Sequence, residues 1–470
     1  MEWEMVISKS LWGRVRAELF AYWNTEAFVF GLARPVVLGR RVRFVMERME
    51  TFDRKDYAFR ESAGLGLTDE ASSRINIESA KAAEFGLVPV HIHSHPYGMV
   101  SFSAHDDASE KATHAWLKSH GQPFLLSVVQ AQGGDPRVRL WNRGKEQECS
   151  LRIGLERFDG KSGYLPALDR QRAFGEVFSR TAAVLRVGIV GVGGVGMPVA
   201  EELARCGFTN FVLLDPDKVE ESNLNRLGHA YRRHVGRSKV SLCRSIICRA
   251  GASVGTSPRV RCFSEDVNLM NEKARQALAG CDVILALTDD ELSRIACLRL
   301  ALDSGVEYLQ AGVRIGQEDG RITSLAVEVT GAEVGRYCPL CTGRLSPAQA
   351  SIDARRYVGG EVFERAKAEG YIPEMPSPSV MSLNAIAAGA LVLELQRRIS
   401  GLGDDADIWQ YDFLSGNSLR KSSIEELLDG GCAVCGRYGS MAGEGVSLDT
   451  KMVDNVPDIA CALVYPNLEA

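Results

Sequence analysis

The 470-residue sequence lacks the segments that would direct it into or across a membrane. No apolar run reaches the roughly 18 residues of a membrane span, and AIAAGALVLEL (385–395) is short and contains a glutamate. The first ten residues, MEWEMVISKS, are acidic where a signal peptide would be basic and then apolar. These absences predict a soluble, cytoplasmic protein.

Runs of basic residues and low-complexity tracts are also missing. The net charge is −5 and lysine and arginine are dispersed, which argues against nucleic acid as the main partner. With 45% hydrophobic and 24% charged residues, a chain of this length predicts two or three globular domains. In such a protein the twelve cysteines favour metal ligands or buried thiols over disulfides.

Two different patterns follow one another along the chain. Residues 1–150 predict an α/β domain, with strands at 26–34, 40–49 and 87–95 and a helix at 106–120. The charged, weakly periodic stretch 143–166 indicates a junction, and we assign 151–167 as a linker. Residues 168–440 alternate helix, strand and glycine-rich turn, which predicts a doubly wound parallel sheet, and 441–470 form a C-terminal tail.

The stretch HIHSHPYGMVSFSAHDD (91–107) is rich in possible metal ligands. Alternate residues of a strand share a face, so His91, His93 and His95 point the same way, and two of them could hold one metal ion. Ser103 and Asp106 fit a helix-capping box, but capping leaves the histidines unexplained. Three protein ligands and a water would make an open zinc site.

His-Ser-His-Pro, six residues and Ser-x-x-Asp together resemble the JAMM/MPN metalloprotease motif. The resemblance implies a catalytic zinc held by His93, His95 and Asp106, with Ser103 helping to stabilise the oxyanion. It also implies that Glu26, in NTEAFVFGLA, is the general base. Such enzymes cut isopeptide or peptide bonds after the C-terminal glycine of ubiquitin-like proteins. His91 and His105 lie outside the motif and are expected to be core or surface histidines.

A glycine-rich turn marks the second domain. LRVGIVGVGGVGMPVAEELARCGFTNFVLLDPD (185–217) predicts strand, turn, helix and strand, and an acidic residue, Asp215, follows the second strand. Its glycines would let the backbone approach a nucleotide at a helix N-terminus. They are Gly191, Gly193, Gly194 and Gly196. This pattern alone fits a nicotinamide dehydrogenase equally well.

Further polar residues favour a triphosphate over a dinucleotide. SNLNR brings Asn223 and Arg226, VGRSK brings Lys239, and ALTDD brings Asp289 after another strand. Cations offset the charge of a leaving pyrophosphate, and a carboxylate can hold Mg²⁺. Taken singly, Arg226 or Lys239 could be a solvated helix charge.

Residues 168–436 resemble the ThiF/MoeB and ubiquitin-activating adenylation family. The resemblance implies that the glycines and Asp215 bind ATP. It also implies roles on the ATP phosphates and on Mg²⁺ for Asn223, Arg226, Lys239 and Asp289. Members are usually homodimers in which an N-terminal arginine reaches the partner's ATP. Here that arginine is Arg170 or Arg172, whose distance to the following Phe-Gly is shorter than usual.

Two C-x-x-C pairs suit one structural zinc closed by four thiolates, and redox dithiols are the alternative. The pairs are Cys338 with Cys341 and Cys432 with Cys435, and ThiF-like proteins carry the same two. No cysteine lies between 341 and 432, where ubiquitin-activating relatives have their nucleophile. The enzyme would therefore stop at the acyl-adenylate or use a hydroxyl. The candidates are Thr342, Ser346, Ser351, Ser377 and Ser379.

Both halves fit one substrate, a ubiquitin-like protein that ends in glycine. The first half would trim a precursor or remove the protein from targets, and the second would adenylate its C-terminal carboxylate and pass it towards a conjugating-type enzyme. Two alternatives stay open: sulfur-carrier activation for cofactor or cysteine biosynthesis, and a binding scaffold with a decayed metal site.

Overall fold

The computed structural model describes residues 1–22, 24–97, 100–159, 165–318, 320–333, 337–358, 378–403, 408–420, 432 and 434. Contacts along the chain separate two compact units, whose described parts lie within residues 1–154 and 155–442. No helix in these ranges is long and apolar enough to cross a membrane.

The N-terminal unit is built on one mixed sheet with three helices. Its strands are β1 (Glu2–Ile7), β2 (Phe28–Leu38), β3 (Arg41–Glu50), β4 (Tyr57–Glu61), β5 (Gly64–Leu67), β6 (Val88–His95), β7 (Phe124–Ala131), β8 (Arg137–Asn142), β9 (Lys145–Glu148) and β10 (Ser150–Ile153). Its helices are α1 (Lys9–Leu19), α2 (Asp69–Glu84) and α3 (Ala104–Ser119). Within the unit the strand order is β10-β1-β3-β2-β6-β7-β8-β9, and β4 and β5 form a separate hairpin.

The centre of this sheet is β6 and β7, which run parallel to each other. All eight residues of β7 are buried, as expected for a strand covered on both faces. The predicted strand 26–34 begins two residues later, at Phe28, and the predicted helix 106–120 begins at Ala104 because Ser103 caps it. The weakly periodic stretch 143–166 contains the four-residue strands β9 and β10, which are too short to show a clear alternation.

The C-terminal unit is the predicted doubly wound α/β sheet. The two-residue strand β11 (Glu156–Arg157) precedes this sheet and is not one of its strands. The strands of the sheet are β12 (Arg186–Val190), β13 (Asn210–Leu214), β14 (Arg259–Phe263), β15 (Val283–Ala286), β16 (Glu307–Glu318), β17 (Arg321–Ala332), β18 (Trp409–Asp412) and β19 (Asn417–Arg420). Its helices are α4 (Gly175–Val184), α5 (Gly196–Arg205), α6 (Lys239–Ser253), α7 (Glu272–Ala279), α8 (Glu291–Asp303), α9 (Pro347–Val358) and α10 (Met381–Ile399).

The strand order β14-β13-β12-β15-β16-β17-β18-β19 is parallel through β16 and antiparallel beyond it. Successive side chains of β12 point to opposite faces, so Ile189 joins the core formed with α5, α6 and α10 while Gly188 faces α7. Helices therefore cover both faces. The chain leaves β12 towards β13 on one side and reaches β15 on the other, and such a reversal opens a crevice at the carboxyl ends of the strands.

Candidate metal and nucleotide sites

Three predicted metal ligands converge in the N-terminal unit. The alternation of β6 puts His93 and His95 on one face, with their Nε2 atoms 3.2 Å apart. Asp106, in the first turn of α3, places Oδ1 3.3 Å from His93 Nε2 and Oδ2 3.5 Å from His95 Nε2. In the described part of the chain this is the only group of three or more potential ligands with all donor atoms within 4.8 Å of one another.

The charge of Asp106 is fixed by its surroundings. Burial alone would raise the pKa of its carboxyl, but hydrogen bonds from His93 and His95 hold that pKa well below its usual range. The backbone N–H of Ser103 also donates to Oδ2 at 2.6 Å. An ionised carboxylate beside two imidazoles is a hard and borderline donor set of the kind that holds zinc with one position left open.

Ser103 could serve both as a helix cap and as a catalytic hydroxyl. Its Oγ accepts the backbone N–H of Asp106 at 3.2 Å, so the capping box is formed. Ser103 is nevertheless exposed, and its hydroxyl hydrogen is free to point elsewhere. The cap therefore positions both Asp106 and Ser103 at the rim of the site.

Glu26 lies next to the cluster although it precedes β2 in a loop. Its Oε1 is 4.0 Å from His95 Nε2, and the residue is buried. Burial raises the pKa of Glu26, while the neighbouring His95 and His93 oppose that shift. A carboxyl with a raised pKa is suited to take up a proton and return it.

The sequence did not indicate one of the residues that hold this loop in place. Ser94, the middle residue of His-Ser-His, is fully buried and points away from the cluster. Its Oγ accepts the backbone N–H of Ala27 at 2.9 Å and donates to the Leu19 carbonyl at 3.3 Å. Ser94 thus ties β6 to the residue after Glu26, and only the tertiary fold brings these segments together.

A second residue that the sequence did not indicate, Arg139 on β8, contacts α3. Its Nε and Nη1 donate to Glu110 at 2.8 Å and to Asp107 at 2.5 Å. Its guanidinium lies 3.8 Å from the ring centroid of Phe102, and that ring packs 6.1 Å from the ring of His93. Arg139 therefore fixes the helix start that carries Asp106.

The two histidines outside the motif lie apart from the cluster. His91 is surrounded by Phe28 and Phe30, at centroid distances of 5.2 Å and 6.2 Å, and burial lowers its pKa to about 4. His105 is exposed on α3.

The glycine-rich turn lies between β12 and α5 at the reversal point of the second sheet. Gly191 has a φ of 88°, and a Cβ there would press on the Leu287 carbonyl, 2.7 Å away. A Cβ on Gly196 would overlap the Gly191 carbonyl oxygen, so these two glycines serve close backbone packing. Gly193 differs because a Cβ there would meet nothing within 4 Å. Open space therefore faces the turn where a phosphate would approach.

The start of α5 suits an anion. Its N-cap, Val195, provides no side-chain hydrogen bond, and no acidic residue stands in the first turn. Backbone N–H groups and the helix dipole then offer a positive end to that open space.

Asp215 follows β13 and is tied to the turn. Its Oδ2 accepts the N–H of Val192 at 2.8 Å and its Oδ1 that of Asp217 at 2.9 Å. Burial raises the pKa of Asp215, and the charge of Lys239 opposes the shift. Lys239, the first residue of α6, places Nζ 2.6 Å from Asp217, which the sequence interpretation had not included.

The other predicted nucleotide residues follow β13 and β15 along the chain. Asn223 is buried and caps its own turn by accepting the Glu220 N–H at 3.2 Å. Arg226 donates to the Ser222 carbonyl at 2.7 Å, and its own carbonyl lies 3.5 Å from a Cβ built on Gly194. Asp289 is exposed three residues after β15.

The arginine that would reach a partner stays a prediction. Arg170 and Arg172 are both exposed before α4, and Arg172 pairs with Asp169 at 3.0 Å.

Asn384 on α10 is a neighbour of the turn that the sequence did not indicate. It is buried, its Nδ2 lies where a Cβ on Gly194 would be, and it exchanges hydrogen bonds with Ser379 at 3.0–3.3 Å. Of the predicted hydroxyl candidates, Ser379 is therefore linked to the glycine-rich turn. Thr342 is buried against the Cys338 carbonyl, Ser346 and Ser351 cap or follow the start of α9, and Ser377 lies outside the described residues.

The cysteine pairs are partly described. Cys338 Sγ and Cys432 Sγ are 3.7 Å apart, and Cys341 is buried nearby with its Sγ accepting the Cys338 N–H at 3.3 Å. Cys435 lies outside the described residues. A tetrahedral site with Zn–S bonds of about 2.3 Å has sulfur–sulfur edges of about 3.8 Å, which the distance between Cys338 Sγ and Cys432 Sγ matches. The three described sulfurs do not all lie within 4.8 Å of one another.

Three other thiols of the ThiF-like region are kept protonated by burial. Burial raises the pKa of Cys206 to about 11 and that of Cys243 and Cys297 further still, and Cys248 is half-buried on α6.

A sequence model of the ThiF family matches residues 168–433, which is more than half of the 470-residue chain. The chain belongs to the ThiF family. The match begins at residue 168, so the assignment of the N-terminal unit rests on its own geometry.

Among relatives of this ThiF-family chain is ubiquitin-like modifier-activating enzyme 5 of Drosophila mojavensis, 26% identical over 291 residues, or 58% of this chain and 66% of that protein. The enzyme of the same name from Caenorhabditis elegans is 26% identical over 234 residues, or 49% and 51%. The chain thus spans about half to two thirds of the length of these relatives. The structure of E. coli MccB with ATP covers 55% of this chain and 71% of that one at 14% identity, with a TM-score of 0.41.

Proposed function

We propose that the N-terminal unit is a zinc-dependent peptidase of the JAMM type that cuts after the C-terminal glycine of a ubiquitin-like protein. The observation that carries the proposal is the convergence of His93, His95 and Asp106 with the carboxyl of Glu26 4.0 Å from His95. An ordinary capping box accounts for Ser103 and Asp106 but for neither histidine. The intact set also argues against a scaffold with a decayed site.

Bound zinc would polarise the scissile carbonyl and acidify water at the open position. Glu26, with its raised pKa, accepts a proton from the attacking water and returns it to the leaving amine. Ser103, exposed at the rim, donates its hydroxyl hydrogen to the carbonyl oxygen as charge develops there.

For the ThiF region we propose ATP-dependent adenylation of the same protein's C-terminal carboxylate. The open space at Gly193 and the uncapped start of α5 support a phosphate position. Arg226 and Lys239 are the cations that would stabilise the leaving pyrophosphate, and Asp289 the carboxylate that would hold Mg²⁺. In the reaction a carboxylate oxygen bonds to the α-phosphorus as the bond to pyrophosphate breaks.

The acyl-adenylate would then pass directly to an acceptor, either a conjugating-type enzyme or a sulfur donor. This step follows from the missing cysteine between 341 and 432 and from the raised pKa of the buried thiols. Sulfur-carrier activation is the second candidate function, and the same observation favours it. We further propose a structural zinc on Cys338, Cys341, Cys432 and Cys435, and a homodimer through the ThiF region.

Metal analysis tests the first half. Wild-type protein is expected to hold two zinc ions, and His95→Ala to lose close to one of them. Glu26→Gln is the control, since it should keep both ions while cleavage of a glycine-linked ubiquitin-like fusion stops. Retention of both ions in His95→Ala would remove the peptidase assignment.

Isotope exchange between pyrophosphate and ATP tests the second half. It should require Mg²⁺ and a protein ending in glycine. Asp289→Ala should abolish it, whereas Arg275→Ala, an exposed charge on α7, should not change it. Binding of NADH without any exchange would restore the dehydrogenase interpretation.

A further inference from the structure

A cavity of about 340 Å³ opens beside α6 in the C-terminal unit. Three arginines and two histidines line it, namely Arg233, Arg237, Arg249, His229 and His234, together with Tyr231, Leu242 and Ser245. None of these residues was assigned above to ATP or metal, and none is acidic. Lys239, at the start of α6, pairs with Asp217 and is not part of this lining.

The three arginines make hydrogen bonds only to neutral acceptors in the described part of the chain. Arg237 Nη2 donates to Ser245 Oγ at 2.9 Å, and Arg249 Nε donates to the Ser245 carbonyl at 3.2 Å. Arg233 Nε faces His234 Nε2 at 3.3 Å. Guanidinium groups stay protonated at any ordinary pH, so the cavity carries about three positive charges without a counter-charge in contact.

The carboxylate that pairs with His229 of this lining is already engaged. Glu201 accepts from His229 at 2.6 Å and from Arg205 at 2.8 Å. Its oxygens are therefore taken by two other hydrogen-bond donors, and it pairs with none of the three arginines in the described ranges.

His234 gives a second indication that an anion belongs here. Tyr231 N–H points at its Nδ1 from 3.2 Å while Arg233 Nε points at its Nε2. A neutral imidazole has one acceptor nitrogen, so one of these donors needs another partner. Desolvation and the charges of Arg233, Arg237 and Arg249 lower the pKa of His234, as expected in a positive field.

We propose that this cavity binds a phosphate-bearing small molecule with at least two negative charges. Guanidinium groups pair with two oxygens of a phosphate at once, and several of them suit a multiply charged group better than a single carboxylate. The volume leaves room for an organic part beside the ring of Tyr231. None of its lining residues belongs to the proposed ATP site, and its existence does not depend on the adenylation reaction.

Calorimetric titration of the full chain with inorganic pyrophosphate, at low salt and without Mg²⁺, tests the proposal. The double variant Arg237→Gln/Arg249→Gln should bind at least about tenfold more weakly, because charge-assisted hydrogen bonds are lost. Arg275→Gln/Arg299→Gln removes two exposed charges from α7 and α8 and should change affinity less than about threefold. Circular dichroism checks folding, and Arg233→Gln replaces the double variant if that fails to fold.

Two further arms distinguish other occupants. Arg226→Gln should keep this binding, and its complete loss there would assign the pyrophosphate to the ATP site. Hexaglutamate should bind more weakly than pyrophosphate, and the opposite order would assign the cavity to an acidic peptide. Equal losses in the cavity variant and its control would reduce the effect to general surface charge. Each of these three results overturns the proposal.

Discussion

Replacing Ser94 by alanine should expose how the metal site is built. The Ala27 N–H would lose its acceptor at 2.9 Å in a fully buried position, and the Leu19 carbonyl would lose a donor. Leaving a buried donor without a partner costs about 1–3 kcal/mol. We expect Ser94→Ala to lower the free energy of unfolding by about 2 kcal/mol, and to reduce peptidase activity because the loop of Glu26 loses one of the hydrogen bonds that position it.

Ser127 on β7 is a matched control. It is also fully buried in the same sheet, but its Oγ has no hydrogen-bond partner among the described residues. Ser127→Ala removes an unsatisfied hydroxyl and should be neutral or slightly stabilising.

Urea unfolding followed by tryptophan fluorescence measures both variants, because five of the six tryptophans precede residue 154. The difference should persist in chelator, since neither hydroxyl reaches the metal ligands. Equal free energies for the two variants would refute the anchoring role of Ser94.

Three other outcomes are expected. Gly193→Ala should leave the melting temperature unchanged and weaken ATP binding. Gly196→Ala should lower the melting temperature, because its Cβ would overlap the Gly191 carbonyl. Thermal scans with and without ATP distinguish the two variants. Burial alone would raise the pKa of Glu394, but hydrogen bonds from two arginines hold that pKa below its ordinary value of 4.5. The ionised carboxylate therefore stabilises the folded protein above pH 4.5, and this contribution is lost as the pH falls through the folded-state pKa. Melting temperatures across pH should therefore show that Glu394→Gln destabilises at pH 7 and converges on wild type in acid. After incubation with ATP and a glycine-ended protein, the enzyme should carry no adduct that reducing thiol cleaves, and a thiol-labile adduct would contradict direct transfer.

Much of the fold follows from local patterns. β6, α3 and the glycine-rich turn were predictable because their apolar periodicity, capping residues and glycines act within a few residues of each other. Short strands such as β9 and β10 were not predicted, because four residues are too few to show an alternation of apolar and polar side chains.

The sequence by itself determined the donor types and their spacing: two histidines two apart on a strand, an aspartate in the first turn of a helix, and glycines where a Cβ would collide. Only the tertiary structure decided which distant residues support the metal ligands and the glycine-rich turn. Ser94 holds the loop of Glu26, Arg139 reaches α3 from a later strand, and Asn384 packs on Gly194 from almost 200 positions away. Such contacts depend on how strands and helices pack across a sheet, and packing leaves no fixed interval along the chain. The cationic cavity beside α6 has the same origin, because its charge is set by the carboxylates that folding keeps away from it.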